Sequence, residues 1–140
     1  MRLVILMFVF STTAAFAACP NLVGLYQVCD SDHGYRTKVR ITQYLRAGVA
    51  TYTMAWNGER HRLHIADGVE RTTPVYEAGP ALKRKALCDE TGVLHTDLEM
   101  LNSSGDTELA IHETYALVQR ELTYHVVSDG RPFETIKCRR

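Results

Sequence analysis

Six histidines, one glutamate on an otherwise apolar strand face and a short basic run offer this chain most of its chemistry. Imidazole is the commonest metal ligand, so His33, His61, His64, His95, His112 and His125 are tested first as ligands. Their spacing argues against it. His61-x-x-His64 has an odd separation, so on a strand the two rings point to opposite faces and share no ion. His95, His112 and His125 fall on one face of successive strands. With turns at residues 102–107 and 119–120 setting the registers, however, Thr114 separates His95 from His125, and His112 lies beside Asp97. That spacing is too wide for one tetrahedral site, so no metal and no cofactor is expected, and these histidines read as an exposed polar face.

Glu113 sits between Ile111 and Tyr115 on the apolar side of its strand, where a lone carboxylate is costly without a partner. Thr96 is its expected cross-strand neighbour. Should the interior be hollow, Glu113 with Tyr26, Tyr52, Trp56, Tyr115 and Tyr124, and with His61 as a further candidate, would give an apolar lining a few polar groups, as ligand pockets have. The alternative places Glu113 near a mouth, where it reaches water. Lys83-Arg84-Lys85 reads as a solvated face or as the docking point of an anionic partner, and Asp30-Ser31-Asp32-His33-Gly34 as a turn without the later carboxylates of a calcium loop. No nucleophile elbow, H-E-x-x-H pair or phosphate-cradling glycine loop is present, so no catalytic residue is expected and the chain is not read as an enzyme.

The elements that must position these residues are strands. Runs of alternating apolar and polar residues, each ended by a Gly, Asn or Asp turn, cover residues 22–29, 36–45, 49–56, 60–66, 69–77, 82–88, 93–101, 108–118, 121–128 and 133–138. Asn57-Gly58 and Asp67-Gly68 have the chemistry of two-residue type I′ hairpins. Arg46-Ala47-Gly48 suggests a three-residue loop, and Asp129-Gly130 another tight reversal. Pairing Trp56 with Glu59 sets Met54 opposite His61, Tyr52 opposite Leu63 and Ala50 opposite Ile65. The one stretch with any helical character, residues 78–87, contains Pro80 and has no sustained apolar stripe. Eight to ten strands with one apolar side each and no crossover helices either curl into a closed barrel or stack as two sheets. Closure removes the edge strands, which favours an antiparallel up-and-down meander closing into a β-barrel.

Composition narrows the class. Lys plus Arg and Asp plus Glu balance at 16 each, which argues against a nucleic-acid partner, and 46% hydrophobic with 23% charged residues suits a folded core rather than a disordered tail. Residues 1–17 read as a signal peptide: Met1-Arg2 as the positive region, Leu3 to Phe10 as the apolar one, and Ala15-Phe16-Ala17 as the cleavage site. Residues 18–140 then form a single exported β-barrel domain, periplasmic or extracellular, with no later transmembrane segment. Phe16-Ala17-Ala18-Cys19 also resembles a bacterial lipobox, which would make Cys19 a lipid anchor. Otherwise Cys19, Cys29, Cys88 and Cys138 read as two disulfides of an oxidising compartment. Of the three connectivities, Cys19–Cys138 with Cys29–Cys88 is favoured because it staples the two termini.

Leu22-x-Gly24-x-Tyr26 at the head of the first strand resembles the Gly-x-Trp opening of the calycins, the lipocalin and fatty-acid-binding superfamily. The resemblance implies an up-and-down barrel with an interior site for a small apolar ligand. It also implies that Tyr26 plugs one end beneath a C-terminal basic residue, Arg139 or Arg140. In size, export and strand pattern the chain also resembles the small disulfide-bonded lysozyme inhibitors of bacteria. Two functions follow as expectations: an exported β-barrel holding a small apolar or amphipathic ligand, or a secreted protein-binding module or enzyme inhibitor acting through loops such as residues 30–35 and 74–85.

Overall fold

Period-two alternation and closely spaced turn residues leave the chain little choice but consecutive antiparallel strands, and a computed structural model shows them over residues 19–59, 62–77 and 79–140. The proposed leader and His61 lie outside the described residues. Ten strands follow one another: β1 (Gly24–Ser31), β2 (Arg36–Arg46), β3 (Val49–Trp56), β4 (Arg62–Ile65), β5 (Arg71–Pro74), β6 (Ala81–Cys88), β7 (Leu94–Leu101), β8 (Thr107–Val118), β9 (Glu121–Ser128) and β10 (Arg131–Arg139). They form one antiparallel sheet in the order β4-β3-β2-β1-β10-β9-β8-β7-β6-β5, strongly curled into a half-barrel. The fold is thus the all-β up-and-down meander that the alternation implies, and within residues 78–87, where a short helix was conceivable, residues 81–87 belong to strand β6.

Four reversals use two consecutive residues with positive φ, the geometry that matches the twist of a hairpin: Ala47-Gly48, Asn57-Gly58, Gln119-Arg120 and Asp129-Gly130. Arg46 pairs directly with Val49, so the β2–β3 loop has two residues rather than three. Beyond Asn57-Gly58 the register departs from expectation. The turn closes with Glu59 N donating to Trp56 O, yet Tyr52 then pairs with His64, Thr53 with Leu63 and Met54 with Arg62. From Arg62 onward the pairing is therefore one residue away from the register that the turn implies. Because side chains alternate faces, that single offset turns Arg62 and His64 inward and Leu63 out.

Asp67-Gly68 is not a hairpin. β4 and β5 are the two opposite edges of the sheet, and the chain crosses between them. Asp67 is held by Arg71, whose guanidinium keeps its carboxyl at about 2, and Gly68 N donates to Ala86 O of β6. The ladder is therefore open on that side. β4 packs near β6 without pairing to it, and the ring is completed by the covalent link from Ala66 to Glu70.

One end of the interior is solid. Leu22, Tyr26, Val39, Ile41, Tyr52, Met54, Leu94, Tyr115, Leu122 and Ile136 form a buried cluster with Cys29 and Cys138. The segment before β1 runs beneath the sheet: Tyr52 Oη donates to Pro20 O at 2.6 Å, Tyr26 Oη donates to Leu22 O at 3.0 Å, and Cys19 bonds to Cys88 at the end of β6. Arg140 lies over the Tyr26 ring, its guanidinium carbon 5.4 Å from the centroid, and donates to Val23 O.

The disulfides are Cys19–Cys88 and Cys29–Cys138, which corrects the pairing favoured from the sequence. Loop entropy does not decide the matter: on the logarithmic loop-length scale the two connectivities differ by less than about 0.1 kcal/mol. Strand adjacency does. Cys29 and Cys138 are direct partners in the β1–β10 ladder, with Cα atoms 3.9 Å apart.

Candidate functional site

Strand β8 presents Ile111, Glu113 and Tyr115 to the interior. Glu113 is only 6% exposed and is fully engaged. Its Oε2 accepts from Thr96 Oγ1 on β7 at 2.8 Å and from Tyr115 Oη at 3.3 Å. Its Oε1 accepts from Tyr124 Oη on β9 at 2.6 Å and from Arg62 Nη1 on β4 at 3.2 Å. Three hydroxyls and a guanidinium thus offset the cost of burying the carboxylate. Burial and the Glu113 charge together push the Tyr115 and Tyr124 phenols far above their usual range, so both are donors at any ordinary pH. Desolvation works against the Arg62 guanidinium, but the Glu113 carboxylate holds its pKa above the ordinary value.

Thr96 is the neighbour that strand register assigns to Glu113, and the ladder agrees. Of the six residues put forward as a lining, Trp56, Glu113, Tyr115 and Tyr124 come together. Tyr124 stacks between Tyr115, 4.8 Å away, and Trp56, 5.0 Å away. Tyr26 and Tyr52 do not join them: both are fully buried in the solid end, their hydroxyls spent on the segment before β1. Arg62 and His64 were missed because the offset after Asn57-Gly58 lies in no residue type. His64 rests against Tyr115 at 5.9 Å, and burial, helped by Arg62 and Arg84 and opposed by Glu113, pushes its imidazole below the usual range. Among the described residues, neither His64 Nε2 nor Trp56 Nε1 has a hydrogen-bond partner.

Above this network lies a recess of about 470 Å³ between β4 on one side and β6, β7 and β8 on the other. Ile65, Ala86, Leu98 and Ile111 give it an apolar floor. Arg62, Arg71 and Arg84 share the inward side with the carboxylate of Glu113, whereas Lys85 and Asp97, which also border it, carry their charges on the outer face, and His64 lines it as well. A wider depression of about 1100 Å³ surrounds Cys19 and Cys88, but its one carboxylate, Asp67, is already paired with Arg71.

On the outer face, the expected registers of His95, His112 and His125 hold. The expected separation does not hold for two of them. His95 and His112 are diagonal neighbours across β7 and β8, and His95 Nδ1 lies 3.4 Å from His112 Nε2. His95 Nε2 is 2.7 Å from Asp89 Oδ2, and His112 Nδ1 is 2.6 Å from Asp97 Oδ1. His95 holds the Asp89 carboxyl well below the usual carboxylate range. His125 stands apart on Thr135. Asp32, His33 and Glu134 also bring three ligand atoms within 4.8 Å of one another. There, however, Glu134 already accepts from Ser31 and Tyr35, and His33 Nε2 contacts Phe133 O.

Comparison with protein families, with curated proteins and with solved structures finds no match to this chain. Two disulfides indicate an oxidising compartment, and among the described residues no helix is long and apolar enough to cross a membrane.

Proposed function

We propose that this is an exported binding protein, not an enzyme, that holds a small amphipathic ligand in the recess of its half-barrel. The observation that carries the reading is the recess itself: a volume within the range of small-molecule sites, an apolar floor, and a few convergent polar groups at one wall. The ligand's apolar part lies on Ile65, Leu98 and Ile111. Its polar end, best matched by an acidic group, meets Arg62 and Arg84. The Arg140 contact on Tyr26 adds to the likeness to calycins that the Gly24-x-Tyr26 opening carries.

The test is native mass spectrometry of the protein purified without denaturation, followed by titration with a long-chain carboxylate while Trp56 fluorescence is monitored. Trp56 is the single tryptophan and stacks on Tyr124, so occupancy of the recess should reach it. A released small-molecule mass, or saturable binding weakened in Arg62→Met with Arg84→Met, supports the carrier. A clean apo mass with no saturable response sinks it. Protein binding through loops is then the remaining reading, and Tyr76, 72% exposed after β5, is its most conspicuous anchor.

A further inference from the structure

We propose that His95 and His112, on the outer face of β7 and β8, form a binding site for a divalent transition-metal ion, with zinc the best geometric match. The site is independent of the recess. A carboxylate only accepts, so the imidazole nitrogen that meets Asp89 and the one that meets Asp97 carry the hydrogen: Nε2 of His95 at 2.7 Å and Nδ1 of His112 at 2.6 Å. In the neutral rings this leaves His95 Nδ1 and His112 Nε2 as bare lone pairs, and these are the two atoms that face each other at 3.4 Å. Two acceptors aimed at one another repel unless a cation sits between them.

The spacing also selects the ion. A tetrahedral centre with bonds of about 2.0–2.1 Å holds adjacent nitrogens about 3.3–3.4 Å apart, whereas adjacent corners of a square-planar centre lie about 2.9 Å apart. The observed 3.4 Å fits the tetrahedral case. Each proposed ligand is also backed by a carboxylate on its second nitrogen, the arrangement that orients metal-bound histidines and raises their basicity. The surroundings suit a cation: Asp89 and Asp97 flank the pair, and the nearest positive group in the ladder is Lys85, the partner of Asp97. Thr114, opposite His95, and the exposed side of the sheet leave the remaining coordination positions to water.

The proposal is tested by titrating the untagged, disulfide-intact protein with zinc alone in a calorimeter, and by recording the visible spectrum of cobalt as a tetrahedral reporter. One ion per chain is expected. Binding should be lost in His95→Gln and in His112→Gln, be weakened about 10–100-fold in Asp89→Asn or Asp97→Asn, and be unchanged in His125→Gln and His33→Gln. These side chains lie on the outer face, and a circular dichroism spectrum for each variant shows that it folds. Absence of saturable binding overturns the proposal, because the pair is then bridged by a proton. Binding that survives both histidine changes, or that is lost with His33→Gln, also overturns it.

Discussion

Replacing Glu113 with leucine tests whether the buried carboxylate is held by hydroxyls or by charge. In Glu113→Leu the hydroxyls of Thr96, Tyr115 and Tyr124 lose their common acceptor, and two of the three side chains, Thr96 and Tyr115, are nearly inaccessible. An unsatisfied buried donor costs about 1–3 kcal/mol. Arg62 adds little to this sum: its side chain is 57% exposed, so its charge returns to water when the partner is removed. Relief of carboxylate desolvation and the apolar fit of leucine offset part of the loss, which leaves a net destabilisation of about 3 kcal/mol. Glu113→Gln behaves differently. Its carbonyl still accepts from Arg62 and Tyr124, and its amide donates to Thr96 and Tyr115 hydroxyls that rotate to accept, so the expected cost is about 1 kcal/mol. Urea denaturation followed by circular dichroism separates the two. With a slope of about 2 kcal/mol/M, the leucine variant should unfold about 1.5 M earlier than the parent and the glutamine variant about 0.5 M earlier. Arg62→Met should cost less than about 1 kcal/mol. A leucine variant as stable as the parent would refute the network.

Four further outcomes are expected. Burial pushes Tyr52 up to about 12 and Tyr115 and Tyr124 higher still, against an unfolded phenol near 10, so the stability these groups contribute is full below pH ~10 and is lost as pH rises. Absorbance at 295 nm should show them ionising only together with loss of the fold, and early reversible ionisation of all the phenols would contradict their burial. His64 has its folded pKa depressed, so its contribution is present above ~6.5 and lost as pH falls through the folded value. Imidazole NMR should find it still neutral where the exposed histidines have titrated. Non-reducing peptide mapping should recover Cys19 linked to Cys88 and Cys29 linked to Cys138, and converting either pair to alanine should cost about 2–5 kcal/mol by thermal unfolding. Arg120 sits at φ 69° in the β8–β9 turn, so Arg120→Gly should stabilise the fold by up to about 1 kcal/mol, read as a raised unfolding midpoint.

The strands were legible because alternation and turn chemistry act locally. Val49–Trp56 and Glu121–Ser128 match the sequence reading residue for residue, and the Thr96–Glu113 pair follows from simple register counting. What escaped was set at longer range. The one-residue offset of β4 against β3 leaves no compositional mark, yet it decides which face His64 occupies. Asp67-Gly68 has hairpin chemistry, but its neighbours in space are Arg71 and Ala86, not a partner strand. Cys29–Cys138 follows a ladder between the first and last strands, which four cysteines alone do not encode, and Cys19 is then left to Cys88. The His95–His112 contact is diagonal, and counting directly opposed residues passes over it.

The gap between β4 and β6 gives this sheet a way to move that a closed barrel lacks. Parting the two strands breaks no ladder hydrogen bond, so the work lies in side-chain contacts alone. The gap is not equally free along its length. Beyond Ile65, Ala66 N donates to Ala50 O and Gly68 N to Ala86 O, which pins that end like a hinge, whereas at the other end Arg62 reaches across to Glu113 on the far wall. Among the described residues one half-exposed ion pair therefore ties the open end of the four-residue β4 to the far wall, and the acidic group of a ligand such as the one proposed above, in competing with Glu113 for Arg62, would loosen that tie.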